Sequence, residues 1–292
     1  MANTLSKGTM FPAEVVSDLF NKVKGKSSLA VLSEQIPVAF DGNEIFTFSM
    51  DDEVNIVGEN DPKPAGGVTV APVKVVPIKI EYGTRVSDEF MYATKEKKLD
   101  VLTAFNVGFS KKVARGLDIM AMHGVNPRTG TESALITHSF DKGINTVPYD
   151  AATCDDNVED AIEKIGDYDV TGIAMAKGFA SAMGKLENSN GGKLYPELSW
   201  GGQPKAINGV PASVNSTVSF GDSKDMAIVG DFANCFKWGY AKKIPMEVIP
   251  YGDPDNTGKD LKGHNQVYIR AEVYIGWAIL DQDAFARVVD ET

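Results

Sequence analysis

The strongest constraint on the fold is a long run of alternating residues near the C-terminus. Apolar side chains occupy every second position in this run: Val267, Ile269, Ala271, Val273, Ile275, Trp277 and Ile279. A period of two predicts a β-strand with one apolar and one polar face. Strands average about 5–6 residues, so this strand is unusually long. We expect it to leave an edge exposed to other chains.

A helical pattern precedes it, over residues 86 to about 122. The apolar positions recur at spacings of three and four: Leu102, Phe105, Phe109, Val113, Leu117 and Met120. Ser87 is a suitable N-cap, and Gly124 and Pro127 are stop signals. A helix over this range would span roughly 55 Å at 1.5 Å per residue, longer than a small domain is wide.

Residues 42–82 have the pattern of an extended hairpin. Phe46, Phe48 and Met50 alternate with polar residues on the first side, and the return side continues through Val68, Val70, Ile78, Ile80 and Tyr82. The tip, residues 59–67, contains two prolines and two glycines, which favour turns. An isolated two-stranded hairpin is marginal in water. The hairpin is therefore expected to lie on another surface, and its tip to become ordered only there.

The remaining segments are an N-terminal arm and an α/β lobe. In the first 40 residues, the apolar spacing after Pro12 predicts a short amphipathic helix up to Val23, and an apolar segment restarts at Leu29. Residues 150–235 form the predicted lobe, with helices at 157–165 and 177–186 and strands at 172–175 and 226–229. The arm has apolar positions but no partner of its own, so it must dock elsewhere.

The charge balance is acidic, because 29 lysines and arginines face 40 aspartates and glutamates. This argues against a free-standing nucleic-acid binder, which would need a basic face. The chain could still enclose nucleic acid with its basic groups on one surface. The long helix gathers such groups: Lys95, Lys97, Lys98, Lys111, Lys112 and Arg115. They fit either an inner surface near DNA phosphate or a solvated helix face balanced by Glu89, Glu96 and Asp100.

Membrane, export and disulfide signals are missing from the sequence. It has no apolar run of about 18 residues and no signal-peptide core at its start. It is therefore predicted to stay in the cytoplasm. Cys154 and Cys235 lie far apart in sequence and are predicted to be reduced thiols.

No motif indicates catalysis, so no catalytic, cofactor-binding or metal-binding residue is predicted and the chain is interpreted as not an enzyme. His123, His138 and His264 are scattered, without metal-site spacing. The segment from Gly178 to Lys185 lacks the spacing and the Ser or Thr of a phosphate loop. Acidic residues at the predicted start of a helix fit favourable dipole interactions: Asp155, Asp156, Glu159 and Asp160. An enzyme whose site has no sequence motif stays an alternative.

Five local segments resemble the major capsid proteins of tailed bacteriophages, the Hong Kong ninety-seven fold family. The similarity covers nearly the whole chain, and the segments occur in the family's order. They are Ser28–Leu32 followed by Ile36-Pro37-Val38, the Gly209-Val210-Pro211 turn, Gly230-Asp231-Phe232, residues 265–272 (NQVYIRAE) and residues 280–285 (LDQDAF).

The resemblance implies an α+β capsid fold with five segments. These are an N-arm (1–41), an extended β-hairpin loop (42–82), a peripheral domain with a long spine helix (83–149), an axial α/β domain (150–235) and peripheral return strands (236–292). It implies a major capsid protein in the virion, assembled in the host cytoplasm as pentamers and hexamers into an icosahedral shell around double-stranded DNA.

The family also suggests partners and one alternative. Expected partners are the chain itself, a portal, decoration proteins and a scaffold that is a separate protein or absent, since the arm begins almost at Met1. The alternative is an encapsulin, a compartment shell of the same fold that encloses a cargo enzyme. Some relatives join a loop lysine to a neighbour's asparagine. No pattern around Lys63 identifies such partners, so no crosslink is expected.

Overall fold

The computed structural model describes residues 27–50, 52–59, 61–62 and 64–291. The predicted helix between Pro12 and Val23 lies outside them. Within the described ranges the helices are α1 (Ser28–Leu32), α2 (Lys95–His123), α3 (Cys154–Ile165), α4 (Lys177–Met183) and α5 (Phe232–Cys235). Short 3-10 turns cover Asp88–Tyr92, Pro196–Gly201 and Lys262–His264. Helices and sheets are mixed along the chain, as the α+β prediction requires.

The strands in the described residues form three sheets. They are β1 (Asn43–Met50), β2 (Val68–Val75), β3 (Ile78–Ser87), β4 (Asn145–Pro148), β5 (Gly172–Met175), β6 (Ala206–Ile207), β7 (Val210–Val214), β8 (Asp225–Gly230), β9 (Phe236–Ile249), β10 (Gln266–Ile279) and β11 (Phe285–Val289). β1 pairs with β2 alone, the second sheet has the order β3-β10-β9, and the third has the order β4-β11-β8-β5-β7-β6.

The long C-terminal strand exists as predicted, but the prediction that it leaves an edge exposed is wrong. β10 is the central strand of its sheet, antiparallel to β3 on one side and to β9 on the other. Its polar face is largely covered as well, since Glu272 is only 8% exposed and pairs with Lys79 at 2.9 Å and Arg270 at 3.3 Å. Partners far away in sequence satisfy the strand, and a local pattern cannot reveal them.

The long helix ends where predicted and begins later. Gly124 caps its C-terminus with a positive φ of 66°, a backbone conformation that glycine adopts at little cost. Its N-cap is Thr94, whose side chain accepts a hydrogen bond from the backbone N–H of Lys97. Ser87 instead caps the 3-10 turn Asp88–Tyr92. The 29-residue helix is therefore roughly 43 Å long, shorter than expected.

The hairpin is also shorter than its sequence pattern indicates. Its register runs from Asn43 opposite Val75 to Met50 opposite Val68. The assignment of Ile78, Ile80 and Tyr82 to its return side is corrected, because these residues lie in β3 and pair with β10. Pro77, just before β3, interrupts the alternation where the chain passes from one sheet to the other.

The helices and strands predicted for the lobe are present, and two apolar cores hold the molecule together. One core lies beneath α3, α4 and one face of the six-stranded sheet. The other joins α1, α2, the three-stranded sheet and the opposite face of the six-stranded sheet. Within this second core Phe140 contacts Phe232, Phe236 and Phe285, with ring centroids 5.0–5.9 Å apart. This aromatic cluster connects the two larger sheets.

A buried carboxylate fixes α1 to the body. Asp118 of α2 is fully buried and accepts hydrogen bonds from five donors: the Ser27 hydroxyl, the backbone N–H groups of Ser28 and Leu29, the Asn215 amide and the Thr217 hydroxyl. Burial raises the pKa of Asp118, and these donors oppose the rise by stabilising the charged form. The single acceptor thus anchors the start of α1.

The segment after α1 then runs beside β9, where Gln35 and Trp238 form a parallel bridge. The backbone N–H of Ile36 donates to the carbonyl of Trp238 at 2.8 Å. A Cβ atom on Gly239 would lie only 1.9 Å from the Ile36 carbonyl oxygen. This close approach therefore requires glycine, and it directs the chain towards the hairpin.

Candidate assembly surface

The hairpin carries an apolar face that its own chain leaves exposed. Because side chains alternate across a strand, one face collects the cross-strand pairs Phe46–Pro72, Phe48–Val70 and Met50–Val68. Phe46, Phe48 and Met50 are 65%, 61% and 75% exposed. We call these six residues the apolar hairpin face.

The opposite face and the base of the hairpin are different. The opposite face pairs Thr47 with Ala71 and Ser49 with Thr69, and nearer the base it pairs Ile45 with Val73. At the base, Val75 is buried and belongs to a small core with Val38 and Ala278. Ile45 and Val73 pack against this core as well, so the body holds the base of the hairpin while Phe46, Phe48 and Met50 stay exposed.

The hairpin tip adds further exposed apolar side chains. Val54 and Ile56 are 95% and 97% exposed. Asp52 accepts a hydrogen bond from the backbone N–H of Gly67 at 2.7 Å, which closes the tip across its neck. Lys63 lies outside the described residues.

Burial of this surface would stabilise a contact substantially. Fully burying a large apolar side chain contributes about 1.5–3 kcal/mol. An exposed contiguous apolar patch marks an interaction site, and a two-stranded sheet is marginal by itself. The apolar hairpin face together with the tip is therefore the surface best suited to contact another subunit.

Some of the basic residues predicted on the long helix are exposed, and others contact groups of the chain itself. Lys97, Lys111 and Lys112 are exposed, whereas Lys98 donates from its Nζ to the Met91 carbonyl at 2.6 Å. Arg115 lies over the Phe220 ring, 5.3 Å from its centroid, and contacts the Ser216 hydroxyl. The side chain of Lys95 is not among those described. The exposed lysines remain available to an anion.

The segments considered above as chemical sites lie in helices. Gly178 lies in the first turn of α4, in agreement with the helix predicted for this segment. Asp155 and Asp156 lie in the first turn of α3. Both cysteines are free, and burial raises the pKa of the Cys235 thiol to about 11, which disfavours the reactive thiolate.

The three histidines have different surroundings. His264 ends an exposed 3-10 turn, and the half-buried His138 uses its backbone carbonyl to accept from the Trp277 indole at 2.9 Å. His123 is buried beside Asp141 and Asp225, a grouping that the sequence analysis missed. These three residues are far apart in sequence, so no spacing motif could have indicated their proximity.

Comparison with known proteins identifies the family. A family model described as "Phage capsid family" matches residues 7–290. The chain belongs to the phage capsid family. It is accordingly a capsid shell protein, a structural component of the virion. The recognition made from the sequence motifs is confirmed.

Solved structures agree over most of the chain. One from Mycobacterium phage Ogopogo has 31% identity and a TM-score of 0.78, covering 91% of this chain and 92% of that one. One from Gordonia phage Cozz has 25% identity and a TM-score of 0.76, covering 91% and 87%. A structure titled "Capsid of empty GTA particle computed with C5 symmetry" shares the fold at 14% identity, with a TM-score of 0.67 and coverage of 91% and 90%.

No curated protein matches the chain. Among the described residues, no helix is long and apolar enough to cross a membrane.

Proposed function

We propose that this protein is the major capsid subunit, assembling as pentamers and hexamers into an icosahedral shell that encloses phage double-stranded DNA. The observation that carries the proposal is the apolar hairpin face, where Phe46 and Phe48 remain more than half exposed in the single chain. In the shell this face lies against a neighbouring subunit. Many identical contacts of this kind together stabilise a closed shell.

The proposed segments follow the family's plan. Residues 1–41 are the arm, 42–82 the extended loop, 83–149 and 236–292 the peripheral domain, and 150–235 the axial domain. The exposed hairpin supports the assignment of the extended loop, and α2 supports the assignment of the peripheral domain. β4 and β11 pair within the same sheet as β5 and β8, so we propose that these two strands move with the axial domain as one body.

Electron microscopy of paired variants tests the assembly role. Phe46→Ser with Phe48→Ser should fold but give few closed shells, because the contact loses its two largest apolar groups. The matched control, Thr47→Ser with Ser49→Thr, changes the opposite face and should assemble like the parent. Normal shells from the phenylalanine variant would contradict the role of the hairpin.

DNA is the proposed content, and an encapsulin-type compartment with an enzyme cargo is the alternative. Membership in the phage capsid family supports DNA. We propose that Lys111 and Lys112 face the interior and lie near phosphate. Replacing both by Glu should reduce packaged DNA without preventing shell formation. The control Lys164→Glu with Lys177→Glu introduces the same charge change on the axial lobe. If both variants package the same amount of DNA, Lys111 and Lys112 belong to a solvated helix face and do not contact DNA.

Partners and covalent state complete the proposal. A separate scaffold, a portal and decoration proteins join the subunit, and assembly takes place in the host cytoplasm. Co-expression with candidate scaffolds should raise the yield of closed shells. No crosslink forms at Lys63. Mature particles boiled in detergent should release single chains, and a ladder of covalent multimers would contradict this part.

A further inference from the structure

Four ionisable side chains from separate parts of the chain meet in the interior. His123 ends α2, Asp141 lies in the loop before β4, Asp225 begins β8, and Arg287 lies in β11. His123 and Asp225 are 6% and 1% exposed. The cluster lies where α2 meets the six-stranded sheet, and it has no part in the assembly surface described above.

The protonation of His123 follows from its neighbours. Its Nε2 lies 2.8 Å from the Thr217 carbonyl oxygen, which can only accept, so Nε2 carries hydrogen. In the neutral ring Nδ1 then presents a lone pair. That lone pair faces carboxylate oxygens of Asp141 at 3.4 Å and of Asp225 at 3.8 Å. Nδ1 is buried and has no hydrogen-bond partner.

These separations exceed hydrogen-bond lengths but suit ligands of a common metal ion. Nitrogen-to-oxygen hydrogen bonds measure about 2.7–3.2 Å. Zinc binds nitrogen and oxygen at about 2.0–2.2 Å, so two ligands in a tetrahedral site lie roughly 3.3–3.6 Å apart. The three potential ligand atoms all lie within 4.8 Å of one another. A small shift of Asp225 would bring three protein ligands into range, and a water molecule would take the fourth tetrahedral position.

The surrounding groups orient the ligands. Arg287 Nη1 donates to Oδ1 of Asp141 at 2.7 Å and to Oδ1 of Asp225 at 2.9 Å, with a longer contact of 3.2 Å to Asp225 Oδ2. The Oδ2 atoms therefore face His123. The Thr217 carbonyl fixes the imidazole through Nε2, an arrangement typical of the groups behind metal ligands.

The charges leave room for a cation. Two carboxylates face the single guanidinium of Arg287 in a place shielded from water, so the set carries one negative charge unless Nδ1 of His123 takes a proton or the site takes a cation. An uncompensated buried charge is costly. The cluster thus requires a further cation or a proton.

We propose that His123, Asp141 and Asp225 bind one divalent transition-metal ion, with zinc as the best fit to a mixed imidazole and carboxylate set. The ion has a structural role, because it ties the end of α2 to β8 and to the loop before β4. A proton shared within the cluster is the competing occupant, and the experiment distinguishes the two.

The test begins with protein stripped of metal by a chelator. Isothermal titration with Zn²⁺ should give one tight site per chain, and the melting temperature should rise by several degrees, since the ion binds only the folded state. Co²⁺ in place of Zn²⁺ should give the visible absorption of a tetrahedral site. His123→Gln and Asp225→Asn should lose the tight site and the absorption, while His138→Gln, which changes a histidine outside the cluster, should keep both.

Two results would overturn the proposal. In the first, the parent binds no Zn²⁺ at the one-per-chain level and its melting temperature does not change, which leaves the proton as occupant. In the second, the His123 and Asp225 variants retain binding equal to the parent, which places the ion elsewhere. If Asp225→Asn fails to fold, Asp141→Asn replaces it, because Asp141 is more exposed. Loss of the cobalt absorption in that variant would support the site, and its retention would contradict it.

Discussion

The β1–β2 hairpin and the β3-β10-β9 sheet have the same alternating pattern and opposite surroundings. Ile275 of β10 is fully buried, whereas Phe48 of β1 is 61% exposed. β10 has a partner strand on each side, and β1 pairs only with β2 within the described residues. The pattern thus reports that a strand has one apolar face but does not report what covers that face. In this chain the covered strand holds the subunit together, and the uncovered one is the surface that we propose for assembly.

The largest expected effect contrasts one aromatic residue from each region. Trp238→Ala in β9 removes a fully buried side chain and should lower the free energy of unfolding by about 3–5 kcal/mol. Phe48→Ala should change it by less than about 0.5 kcal/mol in unassembled protein, as exposed substitutions usually do. Chemical denaturation of both variants measures the difference. Equal destabilisation by the two substitutions would contradict the difference between the two regions.

A second prediction concerns the anchor between α1 and α2. Asp118→Ala leaves buried donors from Ser28, Leu29 and Thr217 without their acceptor. The free energy of unfolding should fall by about 3 kcal/mol, because each unsatisfied buried group costs about 1–3 kcal/mol and part of the region can rearrange. Amide hydrogen exchange should rise in α1 but not in β10. Unchanged exchange in α1 would show that its apolar contacts alone hold it.

A smaller, pH-dependent effect is expected at the end of the three-stranded sheet. Arg85 bonds to Asp253 and Asp255, and it lowers the pKa of Asp255 to about 2. Because the folded pKa lies below the unfolded value of about 3.9, this pair stabilises the protein above pH ~4, and its contribution disappears as the pH falls towards 2.

Thermal unfolding between pH 2 and pH 6 checks this prediction. Arg85→Met should lower the melting temperature above pH ~4 and have little effect near pH 2. The control Arg115→Met, whose guanidinium contacts Phe220 and Ser216, should give a difference that does not depend on pH in this range. Parallel curves for the parent and Arg85→Met would contradict the ion-pair account.

The smallest effect on the free subunit is expected at the hairpin tip. Val54→Ser with Ile56→Ser should leave thermal unfolding of unassembled protein unchanged, because both side chains are almost fully exposed. Assembled shells should dissociate at a lower denaturant concentration, as the tip loses apolar contact with its neighbour. Shells as resistant as the parent would limit the assembly surface to the apolar hairpin face.

The sequence by itself determined the local elements and the family. A period of two identified β10 and β1, spacings of three and four identified α2, and Gly124 marked its end because a left-handed cap favours glycine. The ordered motifs, such as Gly230-Asp231-Phe232, were sufficient to indicate the phage capsid family. These signals are local, so each is readable within a short window.

Only the tertiary structure decided which elements meet. It put β10 at the centre of its sheet, moved Ile78 and Ile80 from the hairpin into β3, and started α2 at Lys95. It also joined Asp118 to Ser27, 91 residues away. The proximity of His123 and Asp225 has the same origin. Hydrogen-bond and charge partners are chosen by how the chain packs in space, and burial then makes those distant contacts strong.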